Sequence, residues 1–268
     1  MVPYESRGLA GESGPRATRM NVAAAWVMVL AVSACTVSPQ PTTPPPDATP
    51  GWSTPTSPEV RRRLADVELR TLTVEEAFSS TTVRQWVKQS DFVAVVRIES
   101  EDEIPPEKVD IRRGEGLIMR TVTGLVDQVV WSHPKVTRRP PAMVSFTDFG
   151  WAFTDGLESK HRAGVPGRPY LLPGHTYLMA LRWYEWGCPG RIDPEDEPTQ
   201  PTWAPLGAQA IVPFDGRLGS GEFEGYWVED VGSRDDASSF RRQMAGQPLD
   251  WVSDTLAKIA ADDPKLTH

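Results

Sequence analysis

Between residues 36 and 58, eight of 23 positions are proline, interleaved with Thr and Ser. No other stretch restricts the fold of this chain as firmly. Proline lacks a backbone donor and clashes with a continuing helix, so neither a helix nor a sheet ladder is expected there. The expectation is an extended, partly stiff tether, up to roughly 70 Å long at ~3.1 Å per residue. It divides the sequence into a short N-terminal segment and residues 59–268, which are numerous enough to bury a core as one globular domain.

The N-terminal segment has one strong feature. Arg16 and Arg19 lead into an apolar run of 11 residues, Val22–Val32, which ends in Ser33, Ala34 and Cys35. At ~1.5 Å per helical residue the run covers about 16 Å, half of a ~30 Å hydrocarbon core. That is too short to span a membrane and suits the apolar stretch of a signal peptide. The order Val32-Ser33-Ala34-Cys35 at its end resembles the lipobox of bacterial lipoproteins. The resemblance implies that residues 1–34 are a signal peptide and that Cys35 takes a diacylglyceryl thioether and becomes the new N-terminus. Two acyl chains anchor firmly where a single chain binds only marginally. Membrane lipid, reached through Cys35, is therefore the first expected partner. The expected location is the outer face of the cytoplasmic membrane, after export.

Charge narrows the other partners. The whole chain has a net charge of −8, and the part from Cys35 onward −9. Backbone binding of nucleic acid needs a basic face, so nucleic acid is excluded as a partner. The same balance leaves membrane attachment to the lipid. With Cys35 acylated, Cys188 is the one remaining cysteine, and no internal disulfide is expected despite an oxidising compartment. Arginine outnumbers lysine 22 to 6 and no Asn follows Asn21, a bias like that of a GC-rich bacterial genome.

In the domain, Thr73-x-x-Glu76 reads as a capping box opening a helix to about Gln89, with a break near Ser79–Thr82 and Trp86 in its core face. The run Phe92–Ile98 is β-branched and nearly all apolar, which predicts a central strand. Residues 100–115 read as a loop or distorted edge. Leu117–Trp131 is a long strand, with Gly124 as a bulge or bend near its middle. Strands follow at Ala142–Phe149, Thr176–Tyr184 and Ala208–Phe214, the last placed at an edge by Pro213 and followed by the hairpin dipeptide Asp215-Gly216. Helices are predicted over Ser238–Ala245 and Leu249–Ala261. Strong strands with few crossover helices argue for a mainly β fold of α+β type. The expected architecture is an antiparallel barrel or sandwich flanked by N- and C-terminal helices. Three pieces, Ser90-Asp91-Phe92-Val93-Ala94-Val95-Val96, Pro173-Gly174-His175-Thr176-Tyr177-Leu178 and Asp215-Gly216-Arg217, resemble hypothetical lipoproteins of actinomycetes. That resemblance implies an OB-like or netrin-like barrel and assigns no activity.

No phosphate loop, HExxH, CxxC or GxSxG occurs, and no cofactor is expected. The acidic loop Asp193, Glu195, Asp196, Glu197 lacks the spacing of a calcium site. Cys188 lies between Gly187 and Pro189, without a histidine motif for nucleophilic use. The candidate ligand site is aromatic. Trp183, Tyr184 and Trp186 fall within four residues, and Trp203 sits between Pro201 and Pro205. Flat rings beside an acidic loop suit stacking on a sugar or peptide of the cell wall, or contact with an envelope protein. The competing role for these rings is to cover the end of the barrel. A non-catalytic envelope binding domain is the expected function, and the alternative is a wall-directed hydrolase with scattered carboxylates.

Overall fold

The computed structural model describes residues 69–73, 79–185 and 201–267. Cys35, the tether, Trp186 and Cys188 lie outside them, as does the acidic loop. The strands are β1 (Arg70–Thr71), β2 (Phe92–Glu103), β3 (Gly116–Ser132), β4 (Met143–Phe153), β5 (His161–Gly164), β6 (Thr176–Tyr184), β7 (Thr202–Pro205), β8 (Ile211–Pro213), β9 (Gly221–Phe223) and β10 (Tyr226–Val228). The helices are α1 (Val83–Gln89), α2 (Lys108–Arg113), α3 (Phe240–Met244) and α4 (Leu249–Asp262).

The fold is mainly β. One sheet runs β1-β5-β4-β3-β2-β6-β7, with β8 also on β6, and β9–β10 form a separate hairpin. Neighbours are antiparallel except β1–β5, so the antiparallel expectation is corrected to a mixed sheet with one short parallel edge. The sheet curls until β4 and β7, which run in the same direction, face each other. There the Thr202 hydroxyl donates to the Ser145 carbonyl at 2.6 Å. No strand ladder joins the two among the described residues, so the curled sheet does not close into a barrel there.

Central position explains why β2 is apolar on both faces. Phe92, Ala94, Val96 and Ile98 point into the concave side with Val122, Phe146, Tyr177, Met179, Leu181 and Ile211. Val93 and Val95 point the other way, onto a helical layer built from Trp86, Phe240, Met244, Val252 and Leu256. Trp86 is fully buried there, edge-on to Phe240 at 5.2 Å, with its indole N–H on the Ser80 carbonyl at 2.7 Å. Strand β3 serves both cores. Register shifts against β2 move it from one to the other, so Val126 packs on the concave side and Val130 under the helices.

Several boundaries differ from the sequence reading. Strand β2 continues to Glu103, and the expected loop beyond it contains α2. The capping box among the described residues is Thr82 with Gln85, at the start of α1, and residues 74–78 lie outside them. The segment Ala208–Phe214 holds a 3-10 turn and only three strand residues. Helix α4 ends within one residue of its predicted limit.

Gly124 is a close-approach position. A Cβ there would stand 2.5 Å from Val96 Cγ1 and 3.2 Å from the Arg97 carbonyl, opposite the irregularity at Glu99. Relief of glycine's backbone entropy favours Gly124→Ala by roughly 0.5–1 kcal/mol. Overpacking opposes it by about 1–3 kcal/mol and should win. The expected result is a lower urea midpoint with an unchanged slope, whereas a raised midpoint would show that β2 yields freely.

Candidate functional site

Strand alternation sends Tyr177, Met179, Leu181 and Trp183 along the concave face, so Trp183 is the outermost ring at one mouth of the curl. It pairs across the ladder with Trp203, ring centroids 5.1 Å apart. Trp203 is buried and packs edge-on against Phe92 at 4.7 Å, which makes it part of the core. Over the outer face of Trp183 lies the Arg138 guanidinium, 4.3 Å from the ring centre and 3.3 Å from Glu185. The Trp183 amide is held by Asp91 Oδ2 at 2.7 Å. Tyr184 points to the opposite face and is half-buried, and burial raises its phenol above the ordinary value. Of the four aromatics, then, Trp183 and Trp203 meet, Tyr184 turns away, and Trp186 lies outside the described residues. Arg138 is the partner that the sequence reading missed; its loop, residues 133–142, has no aromatic signal of its own.

The polar chemistry lies elsewhere, inside the sheet. Arg120 occupies an inward position of β3, in phase with Ile118 and Val122, and is fully buried. Its Nε donates to the Phe149 carbonyl at 2.8 Å, and its remaining donors reach the Tyr170 and Leu171 carbonyls, Asp148 and Glu101. The guanidinium also lies 3.8 Å over the Tyr170 ring. On the other side of the same segment stands Glu222 of β9, also fully buried. It accepts from the amides of Tyr170 at 2.9 Å, Leu171 at 3.1 Å and Gly225 at 2.8 Å, and from the Tyr177 hydroxyl at 2.7 Å. Tyr177 in turn accepts from the Leu172 amide at 3.1 Å. Burial pushes the Glu222 carboxyl up, against the pull of these donors, all of which favour the anion. Burial, helped by the neighbouring Glu222 and Asp215 charges, pushes the Tyr177 phenol well above its ordinary value, so its proton stays available to donate.

Arg162 and Arg168 complete the group, at 2.6 Å from Glu101 and 2.8 Å from Asp148. Three guanidiniums thus face two carboxylates, Glu101 and Asp148. Burial acts to raise the Glu101 carboxyl, but the hydrogen bonds and charges of Arg162 and Arg120 outweigh it and hold it below its ordinary value. A second buried pair, His175 Nδ1 with Asp215 Oδ2 at 2.5 Å, lies nearby, and Asp215 Oδ1 also accepts from the Thr176 amide.

These buried groups mostly end on backbone or on each other. A cleft of about 480 Å³ lies between Gln128, the turn at Phe214–Leu218 and the start of α4, and none of them lines it. Among the described residues no cluster of His, Cys, Asp and Glu has the arrangement of a metal site, and no helix is long and apolar enough to cross a membrane. No family model, curated protein or solved structure matches the chain.

Two measurements test the interior. A Gln at position 222 would place an NH2 among four donors and lose at least one bond, so Glu222→Gln should cost about 2–4 kcal/mol of unfolding free energy. An unchanged denaturant midpoint would remove Glu222 from its assigned role. For Glu101 the folded value lies below the ordinary 4.5, so its contribution is present above that pH and is lost as pH falls through the folded value. Acid unfolding of wild type should therefore steepen below about pH 4.5, and Glu101→Gln should be less stable at neutral pH with a flatter acid limb.

Proposed function

We propose that this chain is a lipid-anchored domain on the outer face of the cytoplasmic membrane that acts by binding rather than by catalysis. One observation carries the first half: the 11-residue apolar run Val22–Val32 ending in Val32-Ser33-Ala34-Cys35, followed by a proline-rich tether. A run of that length with small residues before a cysteine is what lipid modification and cleavage require. Binding is favoured because the perturbed carboxylates are already engaged, Glu222 by backbone amides and the Tyr177 hydroxyl and Glu101 by Arg120 and Arg162. The aromatic end, a half-buried Trp183 under Arg138, suits contact with a sugar or peptide of the cell wall.

The finer fold we propose is an OB-like barrel opened along one seam. A meander β2-β3-β4 is followed by β6 beside the first strand and β7 beside β6, with β7 turned toward β4. In barrels of that type the connection between the fourth and fifth strands takes part in binding. The corresponding connection here runs from Tyr184 to Thr202 and carries Trp186.

Two arms test this reading. In a bacterial host, wild type should fractionate with membranes and yield an acylated N-terminal peptide beginning at Cys35, and Cys35→Ser should leave the membrane fraction or remain unprocessed. Full-length, unacylated wild type in the cytosol would overturn the anchor. Arg138→Ala should weaken retention on purified cell wall several-fold with little change in unfolding midpoint, and Trp183→Ala should weaken it at least as much while lowering the midpoint, since Trp183 also packs against the core. Unchanged retention with a lowered midpoint would make the aromatic end framework alone.

A further inference from the structure

We propose that the α2 end of the sheet is a membrane-docking surface that rests on the bilayer holding the lipid anchor, an inference that depends on reading Cys35 as the lipidated residue. Three aliphatic side chains are exposed at this end: Ile111 at 46%, Leu117 at 38% and Leu157 at 40%. They stand on elements knit together locally. The Gly156 amide donates to the Gly114 carbonyl at 2.8 Å, tying the 3-10 turn Leu157–Ser159 to the end of α2. Asp110 of α2 lies so close to Gly116 that a Cβ there would be 2.6 Å from its own. Leu117 is then the second residue of β3, paired with Ala152, which is paired with His161.

The path of the chain selects the occupant. Strand β1 runs parallel to β5, with Arg70 level with Ala163, so its N-terminal end lies on the His161 side, toward Leu117. The 33 residues between Cys35 and Leu69 therefore join the domain at the end where the aliphatics are exposed. A connection of at most that length keeps a weakly binding surface near the bilayer at an effective concentration of millimolar order, so modest apolar contact suffices. Lys108, Arg112 and Arg113 are exposed beside Ile111, but exposed Glu115 and Glu158 share the end. Contact should accordingly depend on the aliphatics and little on anionic lipid or salt.

The test uses the full chain carrying Cys35→Ser and Cys188→Ser, bound through an N-terminal histidine tag to vesicles containing nickel-chelating lipid. A single cysteine bearing an environment-sensitive dye is placed by Ile111→Cys or, as control, by Met143→Cys, whose native side chain is 54% exposed on the opposite part of the sheet. Brominated lipid should quench the residue-111 dye several-fold more than the residue-143 dye, equally on phosphatidylcholine and phosphatidylglycerol vesicles. Adding Leu117→Asp and Leu157→Asp should abolish that difference without shifting the unfolding midpoint. Equal quenching at the two positions, or a water-exposed dye at both, would overturn the proposal. Because attachment is through the tag, this outcome is independent of acylation, which the fractionation arm reads separately.

Discussion

Among the described residues the segment Tyr170–Leu172 has no strand partner, yet it is buried, and the fold depends on how its backbone is held. Arg120 takes its carbonyls and Glu222 takes its amides, so a cation and an anion together replace a sheet ladder. Tyr177 extends the arrangement to the Leu172 amide, and the His175 amide returns to the Leu172 carbonyl at 3.2 Å. Unpaired, each such group would cost about 1–3 kcal/mol on burial, which is why two charged side chains are tolerated in an otherwise apolar interior. Either charge unpaired would be costly; the backbone between them serves both, Asp148 and Glu101 complete the shell of Arg120, and the Tyr177 hydroxyl and Gly225 amide complete that of Glu222.

What this holds in place is Leu171. Its φ of 64° is unusual for a residue with a Cβ, and the left-handed conformation costs roughly 1–2 kcal/mol. In return the side chain enters the concave core among Phe146, Tyr177 and Met179, where burying a leucine contributes about 1.5–3 kcal/mol. The two terms nearly cancel, so the clamp decides the conformation. It also links parts of the chain far apart in sequence: β3 supplies Arg120, β9 supplies Glu222, and the strap between β5 and β6 lies between them. The small β9–β10 hairpin, which pairs with no strand of the main sheet, is thereby fixed to it.

Much of this frame was legible in the amino-acid pattern, and the misses have definite causes. Phe92–Ile98 reads as a central strand because it is apolar on both faces, and both faces are covered. Gly124 reads as a bend because a Cβ would not fit against Val96. Asp215-Gly216 reads as a hairpin, but the Asp215 carboxylate is drawn to His175 and Thr176, and β8 forms no ladder with β9. The two-residue hairpin is Glu224-Gly225, both at positive φ, where a glutamate in the first position hides the usual signal. Arg120 was missed: it stands in the inward phase of β3, and its partners include two carbonyls of an irregular strap that no periodicity marks. For the ligand site, Trp183 and Tyr184 are consecutive strand residues, and alternation places them on opposite faces. It said nothing of Trp203, whose burial depends on β7 pairing with β6 after a connection from Tyr184 to Thr202.

The aromatic end and the aliphatic end lie at opposite limits of the same strands. Phe92, at the start of β2, is level with Leu181 beside the Trp183 mouth, whereas Glu103, at its finish, is level with Arg120 near the start of β3. Twelve strand residues separate them, roughly 40 Å at ~3.3 Å each before curvature is allowed for. A domain resting on its α2 end would therefore hold Trp183 and Arg138 away from the bilayer, facing the layer where wall material lies. A domain floating freely on its tether would sample every orientation and present that end only part of the time. Orientation, rather than an additional contact, is thus what docking adds to binding: it converts a long, permissive tether into a fixed display of one mouth of the sheet. In the proposed docked state the proline-rich segment would set reach, the aliphatic end would set direction, and the strap held by Arg120 and Glu222 would tie the strands between them together.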